Sequence, residues 1–175
     1  MTQSLNAAAI VDVLNRHRVK FVVIGAFAAI AQHAPIPVTR DIDLTPGSSL
    51  QNLTRLSAAL KELGARIRTD AVDEGLPFDH DARSLAMSSV WNLICPFGEF
   101  DISFMPSGIA GGYDELAVKA HRMRVDTVDV MVADLSDVIR SKEASGRPKD
   151  LQVLPILYRF DRQRRESDPP PPVRA

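Results

Sequence analysis

The chain has 175 residues, 45% of them hydrophobic and 25% charged, proportions that fit one soluble domain with a sizeable core. Its formal net charge of −1 gives no global sign of nucleic-acid binding, so any such binding must come from a local patch. The single cysteine, Cys95, excludes an intrachain disulfide and a cysteine-rich zinc site, and it suits a reducing cytoplasm. The N-terminus has no leader pattern, and the longest apolar stretch, around Phe21 to Ala31, is too short to span a bilayer. A cytoplasmic protein with no membrane partner is the expectation.

Apolar side chains at 5, 10, 11, 13 and 14, with Ser4 or Asn6 available as a cap, predict an amphipathic helix. "VKFVVIG" reads as a buried strand ending at Gly25, and "AFAAIAQH" as a short helix stopped by Pro35 and Pro37. "DIDL" is the next strand. "SSLQNLTRLSAALKELG" opens on a serine cap, repeats apolar residues at helical spacing and ends on Gly64. "ARIRTD" is a weaker strand signal, and "VDEGLPFDHD" is a loop in which Asp79, His80 and Asp81 read as a hydrated turn. "VWNLICPFG" and "EFDISFMP" form a hairpin around Pro96 to Gly98, and "HRMRV" with "VDVMVAD" a second one. "LSDVIRSKEASG" is a helix stopped by Gly146, and a further helix restarts at Pro148, to be kinked or divided by Pro155. The expected organisation is one domain over residues 1–160, helical from about 134, followed by a basic, proline-rich tail over 161–175.

The chemistry centres on "VTRDIDLTP". On a strand, Asp41 and Asp43 share one face while Ile42 and Leu44 take the other, so two carboxylates lean on each other and call for a positive charge between them. In "FGEFDISF", Phe100, Ile102 and Phe104 share a face and Asp101 points the other way, which supplies a third carboxylate. Three carboxylates on neighbouring strands make an oxygen-rich pocket suited to magnesium. Gly25, at a strand-to-helix junction, permits close approach of phosphate to unpaired helix N–H groups. Lys142 near a helix end and Arg147 just past Gly146 can converge on phosphate oxygens.

Gly25 and Ala26, then Asp41 and Asp43, then Asp101 stand in an order that resembles the nucleotidyltransferase superfamily related to DNA polymerase beta; Ala26 replaces its usual serine. "VVIGAFAAIAQHAPIPVTRDIDL" together with "DVIRSKEASGRPKDL" is most similar to the AbiEii and MenT group of nucleotidyltransferase toxins, over roughly residues 18 to 157. The resemblance implies an α/β (α+β) nucleotidyltransferase fold, a mixed sheet flanked by helices with a C-terminal helical part. It implies Asp41, Asp43 and Asp101 as catalytic metal ligands for two magnesium ions, with manganese as a substitute. Lys142, also catalytic, and Arg147 would grip a nucleoside triphosphate, with Asp150 orienting them or the acceptor, and Gly25, Ala26 and Arg40 completing the nucleotide-binding set. The acceptor it implies is the 3′ end of transfer RNA, which blocks translation, and the implied partner is a cognate antitoxin protein. From Lys119 to Arg165, eleven Lys and Arg face seven acids, a local basic excess compatible with RNA. The alternatives are a nucleotidyltransferase antitoxin that adenylylates a partner toxin, and a catalytically silent binding partner.

Overall fold

The computed structural model describes residues 4–167. Helix α1 (Ala7–Arg16) begins where the Asn6 side chain accepts from the Ala9 N–H at 3.0 Å, and it buries Ile10, Val11, Val13 and Leu14. Strand β1 (Phe21–Ile24) is buried along its whole length, and helix α2 (Gly25–Ala31) follows with no intervening residue. Strand β2 (Asp41–Pro46) leads into helix α3 (Leu50–Glu62), whose Ser49 cap accepts from the Asn52 N–H at 3.2 Å. Strand β3 (Arg66–Ile67), helix α4 (Ala82–Leu85), strand β4 (Val90–Cys95) and strand β5 (Gly98–Ser103) come next. Helix α5 (Gly112–Ala117), strands β6 (His121–Val125) and β7 (Val128–Val132), and helices α6 (Leu135–Ser145) and α7 (Pro148–Ser167) complete the chain.

One mixed sheet of seven strands runs β3-β4-β5-β2-β1-β7-β6. β1 and β2 are antiparallel, whereas β2 pairs with β5, and β1 with β7, in parallel. The centre of the sheet is apolar on one side, where Ile42, Leu44, Phe100 and Ile102 are no more than 1% exposed. Acidic residues alternate with them on the other side. Helix α6 packs against both α2 and α7, and these three elements close over the acidic side.

Two expectations about the C-terminal part change. Pro155 does not divide α7, which runs unbroken through it. Its ring denies a hydrogen bond to the carbonyl of Leu151, but Pro155 and Leu151 are both exposed, which leaves that carbonyl on the solvent side of the helix. Residues 161–167 continue the same helix rather than opening a tail, held in part by Arg165 donating to Asp161 one turn earlier at 2.9 Å. The proline-rich end expected to be disordered falls at 168–175, outside the described residues. No helix among the described residues is long and apolar enough to cross a membrane.

Candidate active site

The parallel register of β2 and β5 puts Asp41 beside Glu99 and Asp43 beside Asp101. Because neighbouring strands in register point the same way, the sheet carries a block of four carboxylates, two per strand. Burial first, then the charges of Asp41 and Asp101, push the Asp43 carboxyl up to about 7, against the opposing pull of Lys142 and Lys149. Burial also raises Asp101, with the adjacent Arg68 pulling the other way. Asp41 accepts a hydrogen bond from the Thr39 hydroxyl at 2.6 Å. Arg68, just past β3, donates to Asp101 at 2.8 and 3.1 Å and to Glu99 at 2.8 Å.

Gly25 sits directly above this block. A β-carbon placed there would lie 2.1 Å from the nearer Asp43 carboxylate oxygen, and the backbone has φ of +75°, so two independent constraints require glycine. The Asp43 carboxylate thus occupies the space a side chain would fill. Gly25→Ala is expected to cost about 2–4 kcal/mol, read from a denaturant midpoint. In an Asp43→Ala background the cost should fall to the backbone share, about 1–2 kcal/mol. An equal cost in both backgrounds would refute the contact.

Across the cleft, α6 ends in a left-handed Gly146 at φ of +61° and α7 restarts two residues later. That sharp turn folds Asp150 back under α6. Its carboxylate is 1% exposed and accepts from Lys142 Nζ at 2.7 Å, Ser145 Oγ at 2.8 Å and Arg147 Nε at 2.7 Å. Burial alone would raise this carboxyl, but the three donors outweigh it and hold it down to about 2. Lys142 is nearly enclosed, at 10% side-chain exposure, whereas Arg147 is 60% exposed and spends only its Nε on Asp150. The other edge of that guanidinium is open to the cleft.

Gly25, Ala26, Asp41, Asp43, Asp101, Lys142, Arg147 and Asp150 all line one cleft of about 650 Å³. Asp150 lies at its floor with both oxygens taken, so it orients Lys142 and Arg147. Arg40 is not brought to the cleft: its neighbours Thr39 and Asp41 take the inward directions. Lys149, a member of the "RPKD" segment, does line it. Arg68 and Glu99 escaped the sequence reading. "GEFD" repeats the two-residue acid spacing of "DID", a signal that could have found Glu99; Arg68 carries no local signal, because its partners lie more than thirty residues away. His80 is half-buried against Ser57, with 2.9 Å between its Nδ1 and the hydroxyl, and Asp81 caps α4, so these residues form an irregular lead-in to that helix. Among the described residues no three His, Cys, Asp or Glu side chains stand ready-made as a metal cluster.

This architecture is the nucleotidyltransferase fold. No protein-family profile and no curated protein matches the sequence. Among solved structures, the chain is similar to a Thermotoga maritima protein described as a candidate nucleotidyltransferase, TM1012, with 14% identity and a TM-score of 0.53, covering 90% of this chain and 97% of that one. It is also similar to the antibiotic-resistance factor ANT(2'')-Ia in solution, with 14% identity, a TM-score of 0.55, and coverage of 87% and 80%. The crystal structure of ANT(2'')-Ia in complex with adenylyl-2''-tobramycin matches with 14% identity, a TM-score of 0.52, and coverage of 86% and 84%.

Proposed function

We propose that the chain is a nucleotidyltransferase that moves a nucleoside monophosphate from a triphosphate to an acceptor hydroxyl and releases pyrophosphate. The observation that carries this reading is Asp43, half-buried beside two further carboxylates with its carboxyl pushed up to about 7, in a cleft whose far wall is basic. A half-buried concentration of carboxylates facing lysine and arginine suits a bound cation plus a polyanion better than it suits a neutral ligand.

The donor set is all carboxylate oxygen, which fits magnesium, or manganese in its place, with Asp41, Asp43 and Asp101 as the ligands. When bound, the metal supplies positive charge to the triphosphate and lowers the pKa of the acceptor hydroxyl. The side chains of the far wall serve the triphosphate directly. Arg147 offers the open edge of its guanidinium, Lys149 its ammonium, and Lys142 a charge fixed by Asp150, all on the side where pyrophosphate departs. Gly25 and Ala26 open α2 without a side-chain cap and line the same cleft, and their backbone N–H groups would take the part that the usual serine plays.

For the acceptor we propose the 3′ end of transfer RNA, with the chain acting as the toxin of a toxin-antitoxin pair and a cognate antitoxin as its partner. The two sequence segments similar to the AbiEii and MenT group support this, together with the basic excess after Lys119. The likeness to ANT(2'')-Ia, whose complex contains adenylylated tobramycin, supports a second reading in which the acceptor is an aminoglycoside hydroxyl. Incubation with magnesium and each α-labelled nucleoside triphosphate, in the presence of total RNA, total protein or an aminoglycoside panel, separates the readings. Label on small RNA is expected, weakening steeply with added salt. Label on a protein of the same operon would favour an adenylylating antitoxin, and label on the aminoglycoside the second reading. No transfer to any acceptor would leave a silent binding partner.

A further inference from the structure

Among the described residues, Arg68 is the one guanidinium set against the acidic block from the β4 side. Its backbone N–H donates to the Asn92 carbonyl at 2.9 Å, which fixes its origin beside β4, and Asn92 is the β4 partner of Asp101. From there one Nη reaches Asp101 at 2.8 and 3.1 Å and the other reaches Glu99 at 2.8 Å. The side chain is 26% exposed, so these charge-assisted bonds form in a partly dehydrated setting and are stronger than surface pairs. Glu99 and Asp101 are two residues apart on one strand, and Asp101 alone borders the cleft with Asp41 and Asp43. Arg68 and Glu99 instead line a second open cavity of about 880 Å³ on the β3 edge, which leaves the arginine room to withdraw.

We infer that Arg68 holds the place of a cation at Asp101, and that a divalent cation entering the Asp41, Asp43 and Asp101 face displaces it onto Glu99. The inference rests on the metal-dependent reading of the site proposed above. Arg68 is then a positioning residue: it keeps Asp101 aimed and its charge offset while the site is empty, and it sets the metal affinity by competing for the same carboxylate. Glu99 is its resting partner, the reason a strand with one expected metal ligand carries two acids.

Competition for one carboxylate predicts opposite effects from the two members of the pair. The measurement is Mn²⁺ binding to the full chain without nucleotide, followed by the electron paramagnetic resonance signal of the free ion. Arg68→Gln should bind Mn²⁺ about tenfold more tightly than wild type, because Asp101 no longer has to leave an arginine. Arg66→Gln removes a neighbouring positive charge that is bonded to the Gly75 carbonyl rather than to Asp101, and should stay within about twofold. Glu99→Gln should weaken binding several-fold in wild type but leave the Arg68→Gln background almost unchanged, since its effect passes through Arg68. Arg68→Lys, which keeps the charge and gives up the fork, should tighten binding only about threefold, and it carries the test if Arg68→Gln does not fold. Equal or weaker binding by Arg68→Gln, with Mn²⁺ binding still lost in Asp43→Asn, overturns the role of Arg68 and leaves the proposed function standing. An equal Glu99→Gln effect in both backgrounds overturns the transfer to Glu99. Absence of Mn²⁺ binding in every variant overturns this inference and the metal-dependent function together.

Discussion

Asp43→Asn is expected to abolish nucleotidyl transfer, by about a thousandfold or more, and to leave the folded chain more stable than wild type. The two effects have one cause. The ionised form of Asp43 is opposed by burial and by both neighbouring aspartates. An amide of the same shape removes that repulsion and keeps the fit beneath Gly25, but it makes a poor metal ligand. Measured in metal-free buffer at pH 8, where a carboxyl near 7 is mostly ionised, the gain should be about 1–2 kcal/mol, or roughly 2–8 °C in Tm. A folded Asp43→Asn protein with undiminished transfer would sink the metal-site reading. A loss of stability would show that the carboxylate is held by contacts stronger than the repulsion.

Asp150→Ala should have the largest effect on folding. It removes the acceptor for three donors and leaves the enclosed Lys142 without its hydrogen-bonded counter-charge, a situation that costs about 3–5 kcal/mol. Arg147→Ala removes an exposed partner of the same carboxylate and should cost less than about 1 kcal/mol, while lowering turnover tenfold or more. The contrast would divide the "RPKD" segment into a residue that builds the site and one that serves the triphosphate proposed above. Acid dependence gives an independent check. Folding holds Asp150 at about 2, below its ordinary 3.8, so the stability it contributes is complete above about pH 4 and disappears as the pH falls toward 2. Chemical denaturation across that window should show a steep acid limb in wild type that flattens in Asp150→Ala. Parallel limbs in the two proteins would mean that other carboxylates control acid unfolding.

Most of the sheet and both long central helices could be read from the sequence because each carries a periodic apolar pattern with a cap or a stop beside it. Asn6, Ser49 and Gly146 stand where a cap or stop was expected. Helices α4 and α5 could not be read, since four and six residues are too few to display a helical period. Pro155 does not divide the helix because its cost depends on whether the orphaned carbonyl lies toward solvent, which is a property of the packed helix and not of the residue. The site shows the same division. Asp41 and Asp43 announce themselves by spacing on one strand, and Asp101 by pointing away from the apolar face that Phe100, Ile102 and Phe104 share. The grip of Asp150 on Lys142 needed only a turn at Gly146 and was partly visible in "SKEASGRPKD". What Gly25 does for Asp43, and what Arg68 does for Asp101, are contacts between segments far apart in the chain, and no local pattern encodes them.

The parallel pairing of β2 with β5 joins segments that the chain holds apart by residues 47–97. Strands β3, β4 and β5 neighbour one another in sequence order and in the sheet, so that meander has the shorter loops to close and brings Arg68 to Glu99 and Asp101 by itself. The pairing of β2 with β5 sets two more aspartates in register with two acids, a strand association that electrostatics opposes. Within the meander Arg68 offsets part of the charge of Glu99 and Asp101. The register at the centre of the sheet is therefore tied to its chemistry: the juxtaposition of charge that works against this pairing is the one the proposed cation would relieve.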